Sequence, residues 1–333
     1  MTAFHSNNLV PVQKGTLSLA CFNLYCAPSK PDSKKRMEQV AKRVLPAWHR
    51  EGIDLVGAQE VFGPAEALCD SDNYRHVAHA REKTSFLHVA HSGLAGLSRH
   101  PISAKKFQPF QKKCAWTRFS TAGLLMVDAD FPGFGRVRVI NTHLQSSFSP
   151  ADPLQNHDIR LHQIKKDLAG LVKNTRDRES LCVVMGDLNH HPVDPATGQV
   201  TAEYDYLVHG LHLADVTTAI ARHRGLAEEA IFTFGPNIFY AERSYADAGF
   251  RLLFDRIHVG TTNPNHIVVV DLDESSIAFE DTFSSDHKAV KIRLSLSVYD
   301  LGPSAAINLG ARVLYSSAKQ SFDFANPLGR LAA

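Results

Sequence analysis

Apolar runs that end on a polar residue recur along the chain. Residues 16–25 (TLSLACFNLY) read as a buried strand that carries Asn23 near its end. The period then changes. Met37, Val40, Val44 and Trp48 lie at steps of 3, 4 and 4, which predicts an amphipathic helix over 34–51. Pro46 lacks the N–H of a helical bond and is expected to cut or kink it. After Gly52, residues 53–61 (IDLVGAQEV) form a second apolar strand that carries Glu60. Residues 121–131 and 135–145 flank Pro132-Gly133 and predict a hairpin, with Asn141 and His143 on its second arm. Ile159, Ile164, Leu168 and Leu171 predict a helix within 154–173. Residues 181–189 (LCVVMGDLN) are a short buried strand running into Asp187 and Asn189. Residues 251–260, 266–273 and 289–298 are further strands; Asp255 lies in the first, and Asp286-His287 precedes the last. Strands and helices do not alternate strictly. An antiparallel-rich sandwich with helices outside is therefore expected, rather than a doubly wound parallel sheet.

Composition adds little to this picture. The chain has 333 residues, 44% hydrophobic, 21% charged and 9% aromatic, which excludes disordered, collagen-like and coiled-coil classes. A net charge of +2 does not announce a nucleic-acid binder, although a local patch can still be basic. Lys34-Lys35-Arg36, Lys105-Lys106 and Lys112-Lys113 read as solvated faces, with steering of an anion as the alternative. The 18 histidines read mostly as surface residues. Five cysteines, an odd number with no CxxC pair, argue against a disulfide framework and for a reducing, cytoplasmic setting. The N-terminus shows no secretory apolar region, and no run approaches a membrane span.

The polar strand ends change the picture more. Taken singly, Glu60 is a surface charge, Asp187-Leu188-Asn189 a turn, and Asp255 a partner for Arg256. Taken together, six strands place a carboxylate, amide or imidazole at an apolar boundary. Burying such groups costs several kcal/mol unless they pair or bind metal, so the set points to one convergent site.

Their order along the chain resembles the endonuclease/exonuclease/phosphatase superfamily, which includes deoxyribonuclease I, abasic-site endonucleases, inositol polyphosphate 5-phosphatases and neutral sphingomyelinases. The resemblance runs through Asn23, Gln59-Glu60, the SRHPI segment, NTHLQ, GDLN, Asp255-Arg256-Ile257 and Ser285-Asp286-His287, over about residues 16–295. It implies an α/β (α+β) fold: a four-layered, DNase I-like sandwich of two mainly antiparallel sheets flanked by helices. It also implies an extension at 1–15, a catalytic domain at 16–298, and a tail or appendage at 299–333. By the same resemblance Glu60 is the principal Mg²⁺ ligand, with Asn23 beside it and Asp286 at the metal edge; Mn²⁺ and Ca²⁺ are the alternative ions. Asp187 orients or deprotonates the attacking water. Asn189 holds phosphoryl oxygens, and His143 contacts the phosphate, with Asn141 on the substrate side. His287 acts at the phosphorus, oriented by Asp255. The chemistry is coherent: Mg²⁺ takes oxygen ligands and few carboxylates, and a carboxylate behind an imidazole holds its tautomer.

The substrate is less sharply written. HSGLAGLSRHPI (91–102) and INTHLQSSFSP (140–150), followed by a helix with Arg160 and Gln163, resemble the sphingomyelinase branch. Phe254-Asp255-Arg256 departs from it and has the form of the inositol 5-phosphatases. The other marks of that second branch are missing, since Met185 precedes GDLN and His190-His191-Pro192 follow it. Phe232, Phe234, Phe239, Tyr240, Tyr245 and Phe250 punctuate residues 231–250. They read as a loop packed on the core, or as one that dips into a lipid surface or stacks on a base. The expectation is a Mg²⁺-dependent phosphodiesterase, sphingomyelinase- or phospholipase C-like, acting as a monomer in transient contact with a membrane surface. The alternatives are a nuclease on DNA or RNA, a phosphoinositide phosphatase, and a non-catalytic binding module.

Overall fold

In a computed structural model, residues 10–26, 33–70, 72–81, 90–147, 154–173, 181–194, 196–226, 231, 233–234, 253, 255–263, 265–280, 285, 287–301 and 313–317 are described. In chain order the strands are β1 (Gln13–Asn23), β2 (Leu55–Gln59), β3 (His76–His79), β4 (Ala95–Ser98), β5 (Ile102–Pro109), β6 (Gly123–Phe131) and β7 (Gly135–His143). They continue with β8 (Leu181–Asp187), β9 (Ala214–Asp215), β10 (Asp255–Gly260), β11 (His266–Glu280), β12 (Ala289–Asp300) and β13 (Val313–Ser316). One sheet has the order β13-β11-β12-β1-β2-β4-β3, and the other β5-β6-β7-β8-β10-β9. The pairs β1/β2, β7/β8 and β11/β13 are parallel, and the other neighbours are antiparallel.

The sheets face each other across a core that includes Leu17, Leu19, Val183, Met185, Ile257 and Leu294. Their approach is close. A Cβ on Gly57 of β2 would lie 2.9 Å from Met185 Sδ, so any larger residue there would force that methionine to shift. The helical segment 33–50 covers the outside of the first sheet, packing Met37, Val40, Val44 and Trp48 on Phe22 and Val56. The segment 157–173 covers the second, packing Ile164 and Leu168 on Met126, Ile140 and Val184. The order helix, sheet, sheet, helix gives the four layers expected. No described helix is long and apolar enough to cross a membrane.

Three differences from the sequence reading have physical causes. Pro46 does not end its helix: a wide π-turn at Val40–Val44, in which the Leu45 N–H bonds to the Val40 carbonyl, makes room ahead of the proline. β5 escapes the apolar signal because it is a half-exposed edge strand, and its Lys105-Lys106 guards that edge. Val313–Ser316, within the segment read as a tail, adds a parallel edge strand to β11. The SRHPI segment is the corner between the sheets. Ser98 Oγ accepts from the His100 N–H at 3.0 Å, and His100 Nε2 lies 2.8 Å from Asp54 Oδ1.

Candidate active site

Strand register assembles the site. Parallel pairing of β1 with β2 sets Asn23 opposite Gln59, and Glu60 follows as the chain leaves the sheet. Parallel pairing of β7 with β8 sets His143 opposite Asp187. Antiparallel pairing of β8 with β10 sets Asp187 opposite Asp255. Three ladders from two sheets thus deliver their polar ends to one edge of the sandwich. His287 comes from the approach to β12. Its N–H donates to Ser285 Oγ at 3.0 Å, and that hydroxyl donates to the Asn23 carbonyl at 2.5 Å.

The side chains converge on Asp187. Asn23 Nδ2 donates to Asp187 Oδ2 at 3.0 Å and to Glu60 Oε1 at 3.3 Å. His143 Nε2 is 3.5 Å from Asp187 Oδ2, and His287 Nε2 is 3.8 Å from it. On its other side His287 Nδ1 is 2.6 Å from Asp255 Oδ2. Asp255 is fully buried, and its backbone N–H donates to Thr233 Oγ1 at 3.1 Å. The ring of Phe234 packs 5.2 Å from that of His287. Arg256 does not pair with Asp255. Neighbouring strand residues face opposite ways, and Arg256 binds Asp215 on the outer face.

The backbone here is under tension. Gly186 has φ +146°, and a Cβ on it would fall 1.9 Å from the Thr142 carbonyl oxygen, which explains the glycine before Asp187. Glu60 and Asn189 are left-handed, at φ 55° and 48°. Asp187 Oδ1 holds the Asn189 N–H at 3.1 Å, and Asn189 Nδ2 donates to the Leu144 carbonyl at 3.1 Å. Strain of this kind, held by surrounding bonds, is characteristic of working sites. The Cys21 thiol beneath is pushed well above its usual range, first by burial and then by the charges of Asp255 and Asp187. It is not an activated nucleophile.

The donor set fits a hard divalent cation. Glu60 and Asp187 direct negative charge at one point, now bridged by the Asn23 amide hydrogens. Glu60 and Asp187 offer oxygen and no sulfur, while Asn23 turns its Nδ2 to them and its Oδ1 accepts from the Tyr25 N–H at 3.0 Å. Asp187, Asp255 and His287 also bring ligand atoms within 4.8 Å of one another, but the 2.6 Å contact commits His287 and Asp255 to each other.

Asn141 corrects the sequence reading, which put it on the substrate side. It is buried, its oxygen accepts from Gln59 Nε2 at 2.6 Å, and its Nδ2 donates to the Ala58 and Ala95 carbonyls, each at 2.9 Å. The whole amide ties the two sheets together. Arg36 is likewise no solvated charge; it is buried and donates to the Leu24 and Tyr25 carbonyls, bracing the end of β1. Asp286, Phe254 and most of the aromatic stretch, Phe232, Phe239, Tyr240, Tyr245 and Phe250, lie outside the described residues. Thr233 supports the site and went unread, because a short polar residue in a loop carries no periodic signal; Gln59 and Ser285 were read as motif positions without a role.

A model of the Endonuclease/Exonuclease/phosphatase family matches residues 20–287. No curated protein is matched by sequence. Among solved structures, beta toxin from Staphylococcus aureus with bound magnesium ions is 19% identical, with a TM-score of 0.59, covering 84% of this chain and 99% of its own. Sphingomyelinase C from Streptomyces griseocarneus is 20% identical, with a TM-score of 0.58 and the same coverage, 84% and 99%. D. rerio TDP2 in complex with a single-stranded DNA product is 15% identical, with a TM-score of 0.56, again covering 84% and 99%. At these identities the likeness is one of fold.

Proposed function

The chain belongs to the endonuclease/exonuclease/phosphatase family, and from that premise we propose that it hydrolyses a phosphodiester with the help of a divalent cation. The observation that carries this is the placement of Asp187, with Asn23 and Glu60 on one side and His143 and the His287–Asp255 pair on the other. Glu60 would hold the cation, with Asn23 beside it once its amide turns its oxygen into the site; Mg²⁺ is the first choice, with Mn²⁺ and Ca²⁺ as alternatives. When bound, such an ion polarises the phosphoryl oxygen and offsets charge that develops there. Asp187 is placed to accept the proton of the attacking water. With Nδ1 turned to Asp255, His287 directs Nε2 into the site and can donate where negative charge accumulates. His143 and Asn189 add donors around the phosphoryl group.

For the substrate, a phospholipid phosphodiester of the sphingomyelinase kind is the first reading, supported by the segments at 91–102 and 140–150. A nucleic-acid strand is the second, supported by the likeness in fold to D. rerio TDP2 in complex with a single-stranded DNA product. Incubation with Mg²⁺ against sphingomyelin, lysophospholipid, phosphoinositide and supercoiled plasmid, each with an EDTA control, separates them. Metal-dependent cleavage of one diester is expected; release of inorganic phosphate alone would replace the diesterase reading with a phosphatase. Glu60→Ala is expected to abolish turnover, and unchanged turnover under excess Mg²⁺ would remove Glu60 from the mechanism.

A further inference from the structure

Past the last rung between β7 and β8, side chains of a helix take over the hold on the chain. β7 ends at His143 and β8 at Asp187, and the two residues are paired. One backbone bond carries the pairing a residue further, from the Leu144 N–H to the Asp187 carbonyl at 3.0 Å. The Leu144 carbonyl in turn accepts from Asn189 Nδ2 at 3.1 Å. At Gln145 the partners come from the helical segment 157–173. Gln163 Oε1 accepts from the Gln145 N–H at 3.1 Å, and Arg160 Nη1 donates to the Gln145 carbonyl at 3.2 Å. Residues three apart on a helix are neighbours on its surface, so Arg160 and Gln163 bracket the backbone of one residue from both sides.

This grip is itself anchored. Arg160 and Gln163 are both buried. Arg160 Nε donates to Glu203 Oε1 at 3.3 Å, and its Nη1 also reaches the Gln155 carbonyl at 2.9 Å. Gln163 Nε2 donates to the Lys112 carbonyl at 3.0 Å. The Gln145 side chain is fixed from a third segment, because its Oε1 accepts from the Thr117 hydroxyl at 2.6 Å. Gln163 also opens the π-turn Gln163–Leu168, after which the Ala169 N–H bonds to the Ile164 carbonyl. Turns of this width recur at functional sites.

An asparagine amide carries two hydrogens. The Leu144 carbonyl holds one of those on Asn189 and so aims the other. His143, one residue before Leu144, and Asn189 therefore share one footing. We propose that Arg160 and Gln163 are positioning residues: by fixing Gln145 they fix Leu144, and through it they place His143 and Asn189 about the phosphoryl group. The roles of those two donors rest on the hydrolase reading. A buried ion pair such as Arg160–Glu203 stabilises a fold little beyond apolar packing of the same volume, so its contribution here is placement. Donors aimed at a transition state depend steeply on placement, and a shift of about 1 Å can cost about a hundredfold in rate.

Two measurements test it on Gln163→Met, which keeps the length of the side chain and loses both hydrogen bonds, and on Arg160→Lys, which keeps the charge beside Glu203 and loses the fork. The first is a double-mutant cycle in the turnover of bis(p-nitrophenyl) phosphate with Mg²⁺. Each variant is expected to lower kcat about tenfold in the native protein, and about twofold or less in a His143→Ala/Asn189→Gly background that lacks both donors. A merely structural role gives equal losses in the two backgrounds; that outcome overturns the proposal, as does an unchanged kcat in the native background. The second needs no substrate and follows hydrogen exchange by mass spectrometry. Residues 186–190, which include the Asn189 N–H, are expected to exchange about tenfold faster in each variant, while 181–185 in the core of β8 stay unchanged. Unchanged exchange at 186–190, or equal acceleration of both stretches, overturns it. If the native protein hydrolyses neither this diester nor those named above, the hydrolase reading fails, and the exchange measurement still decides whether Arg160 and Gln163 hold Asn189 in place.

Discussion

Asn189 and Glu60 hold left-handed backbones without being glycine, which costs about 1–2 kcal/mol at each. Asn189→Gly relieves that strain but removes the amide that donates to the Leu144 carbonyl, so the denaturant midpoint is expected to change little while turnover falls. A drop in stability together with activity would show that Asn189 is mainly a structural residue. His287→Ala and Asp187→Ala are each expected to lower kcat about a hundredfold or more with unchanged circular dichroism. Near-native turnover in either would remove it from the reaction. Much of this was legible from residues: Asn23, Glu60, His143, Asp187, Asn189, Asp255 and His287 were read from strand ends, and the structure gathers them at one edge. Asn141 was misread because its partners Gln59, Ala58 and Ala95 lie far off in sequence. Only three-dimensional hydrogen bonding shows that its amide is fully engaged.

At the scale of elements, the buried strands were legible because both faces are covered, which leaves a near-continuous apolar run, as in β6 and β8. β3 and β13 were missed because four residues carry too little periodicity, and β5 because it is half-exposed. What the sequence could not say is how closely the strands approach. Gly186 shows the consequence. The Thr142 carbonyl of β7 occupies the place of its missing side chain, at the penultimate residue of β8. Gly186→Ala is expected to destabilise the protein by several kcal/mol, at the upper end of the range for point substitutions, because backbone must move. Urea unfolding of the variant checks this; a loss below about 1 kcal/mol would mean that β7 and β8 can part at no cost.

For the whole molecule, three histidines outside the candidate site, His79, His190 and His258, are buried, as is the candidate His287, although most histidines were expected at the surface. His190 and His258 face each other on the outer side of the second sheet, ring centres 6.4 Å apart, with Tyr204 completing the group. None of their four ring nitrogens has a hydrogen-bond partner among the described residues. Burial, and then the nearby Arg256, push His190 well below its usual pKa. Burial foremost brings His258 down to about 4, Arg256 outweighing little of the opposing pull of Asp215, and burial with Arg160 and Arg256 brings His191 to about 4. In the unfolded chain each histidine titrates near 6.5, so between about pH 6.5 and 4 the unfolded state binds more protons. Stability must then fall as pH drops through that window, by up to about 1.4 kcal/mol per pH unit for each histidine, and be unaffected by these groups above it. The Arg256–Asp215 pair acts lower: although burial opposes it, Arg256 holds the Asp215 carboxyl below its ordinary value of 3.8, so that contribution is lost only under more acid conditions. His258→Phe keeps a ring in the cluster and removes one titrating group. Urea midpoints measured from pH 7.5 to 4.5 are expected to fall less steeply in this variant than in the native protein. Parallel curves would mean that His258 does not enter the fold as a neutral imidazole.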